Sequence, residues 1–454
     1  MSNQNNSNDM DRRSFLKYSA AAGAGLLMSP LARTNAQSTQ KTSSADDLNI
    51  ALIGAGAEGQ VLTNAMLRIP GIRFKAVCDI WEEYNLKRVV NMLNKYKHDV
   101  TGYIDYREML ASENDLDAVI VATPEFWHEE HTVASLEAGL DVYCEKEMSN
   151  TLEGARNMVQ AARRTGKLLQ IGHQRRSNPR YLHAYNRIVK EAGLLGRMTH
   201  VYGQWNRSVQ PDNGWPESAS IPPSRLQRYG FENMHQFRNW RWYRGLGGGP
   251  MVDLGSHQLD IFNWMLESSP TAVMATGGID YYDPATHEWY DNVLANFVYE
   301  TKYGTVRGFY QTITTNSNQG YYETFMGDEG ALVISESASR GSVYREPGAP
   351  QWDKWIEMGY IDAPEEQEQP ETEAVMDVRE TLAPPSHALS VTLDDPYHQP
   401  HLENFFESVR GRATLNCNED VGYETAVTVL KVNEAVEAAR QLPYRQDEFH
   451  VTQV

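Results

Sequence analysis

The stretch Ile50-Ala51-Leu52-Ile53-Gly54-Ala55-Gly56-Ala57-Glu58-Gly59-Gln60 decides the fold. Four consecutive apolar residues run straight into a G-x-G-x-x-G turn, and residues 60–68 then carry apolar side chains at helical spacing. A strand that is apolar at every position is buried on both faces, as in a parallel sheet covered by helices. A glycine turn between such a strand and a helix is the context that makes this spacing a dinucleotide signature. Gly54 permits the tight turn, Gly56 lets a pyrophosphate approach the backbone, and Gly59 lets helix and strand pack closely. The phosphates would then meet the unpaired N–H groups at the helix start, around Ala57 and Glu58. Asp79 ends the second apolar run, twenty positions past Gly59 (79 − 59). Alone it would read as a strand-end helix cap. At this distance it reads as the acceptor for the adenosine ribose hydroxyls, which repels a 2′-phosphate and favours NAD over NADP.

Working outward, apolar runs at 50–53, 74–78, 118–122, 142–144 and 168–171 alternate with helical patterns at 60–68, 82–97, 128–138 and 152–165. That alternation predicts a doubly wound parallel sheet over residues 48–175. Carboxyl ends of the strands face the ligand crevice in such a sheet. They carry Thr123-Pro124 leading to His128, then Glu145-Lys146, then His173-Gln174. After residue 179 the texture changes to helices at 180–192 and 253–266, a strand at 198–205 and five short runs from 272 to 334 between Gly and Asp turns, as antiparallel strands read. The expected second domain, 176–440, is therefore an α+β unit with a large, mainly antiparallel sheet. It contains an acidic, Pro/Gln-rich excursion at about 360–395 and closing helices at 401–410 and 421–440, before a tail at 441–454.

The formal net charge of −19 excludes a basic footprint for nucleic acid. Cys78, Cys144 and Cys417 are too few and scattered for a disulfide framework and read as small core hydrophobes. Asp11-Arg12-Arg13-Ser14-Phe15-Leu16-Lys17, a weakly apolar stretch and Thr34-Asn35-Ala36 follow the order of a twin-arginine export signal. The expectation is a signal peptide over 1–36 cleaved near Ala36, a linker at 37–47, passage through the twin-arginine export machinery and a periplasmic address. Proteins exported this way are already folded, so the expected NAD is one loaded before export and not released.

These residues together resemble the glucose–fructose oxidoreductase / inositol dehydrogenase (Gfo/Idh/MocA) family. The match rests on Ile53-Gly-Ala-Gly56-Ala-Glu-Gly59, Ala122-Thr-Pro124 with His128, Glu145-Lys146, and Gly248-Gly-Pro-Met-Val-Asp253-Leu-Gly-Ser-His257-Gln-Leu-Asp260. It implies an N-terminal Rossmann domain, NAD or NADP chemistry on sugars, inositols and related compounds, and a dimer or tetramer. It assigns cofactor contacts to Gly54, Gly56, Ala57, Glu58, Gly59, Asp79, Thr123, Pro124, His128, Glu145, Lys146 and Gln174. One departure stands out: the family's Glu-Lys-Pro is Glu145-Lys146-Glu147 here.

Asp253 and His257 lie four apart on a helix and share a face. The run Gly247-Gly-Gly249 just before them is expected to let backbone and substrate approach. When a hydride leaves a carbinol carbon the hydroxyl proton needs a near-neutral base, for which histidine is suited. By resemblance His257 takes that proton, Lys146 holds the substrate oxygen and Asp253 orients both. Asp260 reads as structural. Asp253, His257 and His128 match no metal-ligand spacing, so no metal is expected. Residues 239–244 and Trp205 could form an aromatic substrate wall or an interdomain contact. The leading expectation is a sugar, glycoside or polyol oxidoreductase. A redox-neutral glycosidase or lyase working by transient oxidation, and a non-catalytic nucleotide sensor, are the alternatives.

Overall fold

The computed structural model describes residues 46–364 and 384–452. The signal peptide with its cleavage point, the linker up to residue 45, and residues 365–383 of the acidic excursion lie outside the described residues.

The first sheet is built from β1 (Leu48–Ile53), β2 (Ile72–Cys78), β3 (Thr101–Tyr103), β4 (Ala118–Val121), β5 (Asp141–Cys144) and β6 (Leu169–Ile171), all parallel. Its order is β3-β2-β1-β4-β5-β6, so the winding reverses between β1 and β4. In register, Ile53 faces both Cys78 and Val121, which brings the loops after β1, β2 and β4 to one edge. Between the strands run α1 (Ala57–Met66), α2 (Lys87–Lys95), α3 (Tyr106–Ser112), α4 (His128–Glu137) and α5 (Leu152–Thr165). The five expected strands are all present. The sixth, β3, is a three-residue edge strand with two exposed positions and no apolar run to announce it.

The chain then forms α6 (Pro179–His183), β7 (Met198–Asn206), α7 (Pro223–Arg228), α8 (Met234–Arg238), α9 (Gly249–Leu266), β8 (Pro270–Gly278), β9 (Asn292–Thr301), β10 (Gly304–Ile313), β11 (Tyr321–Gly327), β12 (Gly330–Ile334), β13 (Gly341–Arg345), α10 (Asp353–Glu357) and β14 (Ser386–Ala388). It closes with α11 (Gln399–Val409), α12 (Glu419–Ala438) and β15 (Leu442–Pro443). Nine strands make the second sheet, ordered β14-β13-β12-β11-β7-β10-β9-β8-β15. It is antiparallel except where β10 runs parallel to β7. α9 lies across β7 and β10 on one face of this sheet, with α12 packed against it.

One core cluster runs from Val119, Cys144 and Ile171 of the first sheet through Phe262 of α9 to Phe325 and Val427. α11, expected within the second domain, instead inserts Leu402, Phe405 and Phe406 among Leu52, Leu62, Phe74 and Ile120 of the first. Burying three large apolar side chains contributes roughly 1.5–3 kcal/mol each. The Rossmann core is thus completed by the far end of the chain, and a cut at 175/176 does not separate two independent cores. Ion pairs tie the halves together as well. Arg175, fully buried after β6, reaches Glu323 and Glu336 of the second sheet, and Arg176 pairs with Asp260 at 2.8 Å. Asp260 also accepts from Thr425 of α12, which is the structural role expected of it.

Candidate active site

Gly54, Gly56, Ala57, Glu58, Asp79, Thr123, Pro124 and Glu145 line a groove of about 230 Å³ along the edge where the winding reverses. The glycines are there for space. A Cβ at Gly54 would sit 2.5 Å from the Ala122 carbonyl oxygen, and one at Gly59 would sit 2.0 Å from that of Gly54. Gly56 has only Asn85 Nδ2, at 4.0 Å, near its absent Cβ, and it caps α1 without a side-chain hydrogen bond. An open cradle therefore lies beside uncapped helix-start N–H groups, as a pyrophosphate requires. Asp79 accepts from the Ala55 N–H at 2.8 Å and the Trp81 N–H at 2.7 Å, and burial pushes its carboxyl up to about 6. The far wall comes from the segment between β7 and α9. Tyr229, Phe231, Phe237, Arg238 and Trp240 face the glycine turn, anchored where Trp127 donates to the Tyr229 carbonyl.

A second cavity, of about 410 Å³, shares Glu58, Glu145, Asn213, Arg238 and Arg241 with this groove. Lys146, Asp253 and His257 all line it. Lys146 Nζ donates to the Asp253 backbone carbonyl and to its Oδ1 at 3.2 Å, while Arg241 Nε lies 3.4 Å from Oδ2. Burial opposes ionisation of Asp253, but Lys146 and Arg241 prevail and hold its carboxyl well below the usual range. His257 is 8% exposed, its Nδ1 has no hydrogen-bond partner among the described residues, and its ring lies 5.2 Å from that of Trp205. Burial first, then the Lys146 charge, drives its pKa well below 6.5, so the imidazole is neutral at pH 7. Trp205, Asn239, Arg241 and Trp242 line this cavity, and Trp240 lines the groove.

Three expected positions fall elsewhere. His128 lines neither cavity. It is fully buried, with Nε2 2.8 Å from the Thr123 carbonyl and Nδ1 2.8 Å from that of Glu147, and it clamps the loops after β4 and β5 together. His131, one turn later, takes the groove position, 3.1 Å from Thr123 Oγ1 and stacked on Trp127. The family resemblance pointed to His128 alone and left His131 out. Gln174 faces the Lys146 cavity and not the groove, donating to Glu336 at 3.0 Å. The glycine run before α9 serves packing. Added Cβ atoms at Gly247 and Gly249 would meet Trp240 and Trp289, and the Gly248 N–H donates to buried Glu125.

Glu147, where the family has proline, is fully buried. It accepts from the Met148 N–H at 2.7 Å, and its free Oε2 lies 4.0 Å from His173 Nε2. Burial pushes Glu147 up to about 8 and His173 down to about 4, so both are neutral at pH 7. Sequence reasoning also missed Tyr397 and His398, delivered to the cavity from just before α11. His398 Nε2 is 3.3 Å from Glu58, and their ligand atoms with those of Glu145 lie within 4.8 Å of one another.

Residues 48–173 match the family model described as an oxidoreductase family with an NAD-binding Rossmann fold, and residues 185–333 match the GFO/IDH/MocA C-terminal domain. The chain belongs to the GFO/IDH/MocA family. Residues 9–29 match the signal sequence of the twin-arginine translocation pathway. Curated relatives include 1,5-anhydro-D-fructose reductase of Ensifer adhaerens, 29% identical over 232 residues, covering 50% of this chain and 59% of that protein. Another is inositol 2-dehydrogenase/D-chiro-inositol 3-dehydrogenase of Shouchella clausii, 34% identical over 146 residues, covering 32% and 41%. The matched region thus spans about half the length of these relatives. Among solved structures, the WlbA dehydrogenase of Bordetella pertussis, in complex with NADH and UDP-GlcNAcA, superposes with a TM-score of 0.65. It is 16% identical, with 88% of this chain and 98% of that one covered, a likeness of fold.

Proposed function

We propose that this protein oxidises a sugar or polyol hydroxyl, or reduces the matching ketone, with a tightly held NAD. The observation that carries the reading is the meeting of the glycine-turn groove and the Lys146–Asp253–His257 cavity at a shared wall of Glu58, Glu145 and Arg241. Gly54, Gly56 and the α1 start would hold the pyrophosphate, with Asp79 at the adenosine ribose. The NAD family description and the NADH in the WlbA complex support this assignment. When bound, the nicotinamide supplies the hydride acceptor or donor.

The chain's own residues handle the oxygen and its proton. Lys146 Nζ, fixed by Asp253, donates a hydrogen bond to the substrate oxygen and stabilises negative charge there. Neutral His257 takes the hydroxyl proton during oxidation and returns it during reduction. Trp205 and Trp242 offer apolar faces to the sugar's C–H surfaces.

The same reading extends to the whole protein. The twin-arginine signal directs the folded chain to the periplasm, with cleavage near Ala36, and the wall of residues 229–240 keeps the cofactor in place after export. The outer face of the second sheet carries Tyr202 stacked on Phe309, with exposed Met274, Leu294 and Met326. A contiguous apolar face of this kind is suited to a second copy of the chain. Mixing the purified protein with neutral and acidic sugars and polyols tests the core of the proposal. Absorbance should rise in the reduced-nicotinamide band for at least one of them. A protein that releases no nicotinamide nucleotide on denaturation, and reduces none that is added, would refute it.

A further inference from the structure

Each carboxylate lining the Lys146 cavity is already engaged. Asp253 is held by Lys146 and Arg241, Glu336 by Arg175 and Gln174, Glu58 faces His398, and Glu145 accepts from the Tyr143 hydroxyl and the Lys146 N–H. The cations are not matched in the same way. Arg207 also lines this cavity, and its guanidinium has no hydrogen bond or ion pair among the described residues. It is half-buried, 5.8 Å from the Trp205 ring centre, and near enough to Asp253 to help lower that carboxyl's pKa. Its backbone is fixed, because the Arg207 N–H donates to Ile313 at 2.7 Å in continuation of the β7–β10 pairing. Ser208, Gln210 and Thr314 also line the cavity, and Asp253, the acid whose carboxyl Arg207 influences, is already held by Lys146 and Arg241. In a chain with 60 acidic and 41 basic residues, Arg207 is left without an ion pair among the described residues, although Asp253 is close enough to feel its charge.

A half-desolvated arginine without a counter-ion gains most from a planar oxyanion, which its donor fork can bind through two parallel hydrogen bonds. The indole of Trp205 beside it limits the rotamers it must give up. Repulsion from the acidic chain as a whole is screened beyond about 8–10 Å at physiological salt. We propose that the substrate is an anionic sugar or polyol whose carboxylate, or ester-linked sulfate or phosphate, is bound by Arg207 while its reacting carbon lies toward Lys146 and His257. This rests on the oxidoreductase reading for the site and narrows its substrate class.

The test is calorimetric titration of the NAD-loaded protein with matched pairs: D-glucuronate and D-glucose, D-galacturonate and D-galactose, D-gluconate and sorbitol, and glucose 6-phosphate or 6-sulfate against glucose. At least one acidic member should bind about 10-fold or more tightly than its neutral counterpart. The pair that does so tells carboxylate from ester. The preference should shrink with added salt, fall toward one in R207Q and survive in part in R207K. No acidic member binding more tightly, or a preference that is insensitive to salt and persists in a folded R207Q, would overturn the inference. The two readings fail separately. Selective acid binding without cofactor reduction sinks the oxidoreductase reading, and cofactor reduction by neutral sugars without acid preference sinks this one.

Discussion

Replacing Glu147 by glutamine should remove a pH dependence that the wild-type core imposes on itself. Glu147 is fully buried, accepts no hydrogen bond from a cation among the described residues, and is pushed up to about 8 because burial disfavours its charge. Its unfolded value is that of an ordinary glutamate, about 4.5. Between the two values the folded state binds the extra proton, so the contribution to stability is complete below the unfolded value and is lost as pH rises toward 8. Each pH unit well inside that window costs about 1.36 kcal/mol, and allowing for the partial titration near the lower edge, the step from pH 5 to pH 7 costs about 2.5 kcal/mol. Glutamine keeps the oxygen that accepts from the Met148 N–H and removes the titration. Urea unfolding of wild type and E147Q at both pH values, at one cofactor loading, isolates the term, because titrating groups remote from Glu147 cancel and His173 is neutral in both at pH 5 and 7. E147Q should gain about 2.5 kcal/mol relative to wild type over this step. An unchanged difference would refute the buried neutral carboxyl. Wild type gaining on the variant would mean instead that Glu147 is ionised in the folded core with His173 still neutral.

Other consequences follow from the site geometry. Lys146→Ala and His257→Ala should each lower the rate of cofactor reduction by about 10²–10⁴-fold in single-turnover absorbance measurements while NAD still co-purifies. Gly59→Ala places a Cβ 2.0 Å from the Gly54 carbonyl oxygen. It should cost roughly 1–3 kcal/mol in denaturant unfolding and empty the groove of nucleotide, as read by mass spectrometry after denaturation. Asp79→Ala leaves the Ala55 and Trp81 N–H groups without their acceptor, for a loss of about 1–3 kcal/mol. It should also raise affinity for NADP relative to NAD in titrations, since the carboxylate proposed to repel a 2′-phosphate is gone while the nearby Arg238 charge remains.

The first sheet was readable because parallel strands covered on both faces are apolar throughout, and β1, β2, β4 and β5 are buried at nearly every position. β3 was not, since an edge strand with exposed residues carries no such run. Lys146, Asp253 and His257 line one cavity, as a strand end and a four-residue helical spacing, read with the family resemblance, led one to expect. What the sequence could not supply was which residue of a helix turns toward a cleft: His131 lines the groove, while His128 is buried. It was equally silent on contacts between distant segments. Nothing local in the run from Asp394 to His398 shows that Tyr397 and His398 reach the cavity, or that α11 completes the first core. The run Gly247-Gly-Gly249 was noticed for the right property, close approach, but its neighbours are Trp240 and Trp289.

The central claim is that a dinucleotide lies along the groove from Asp79 past the Gly54–Gly59 turn, with its reactive ring beside Lys146 and His257. A crystal structure of the NAD-loaded protein tests it most directly. The account predicts continuous nucleotide density along that path, ending with the nicotinamide at the wall shared by the two cavities. Density elsewhere, or a nicotinamide turned away from Lys146 and His257 with other protein groups around it, would contradict it.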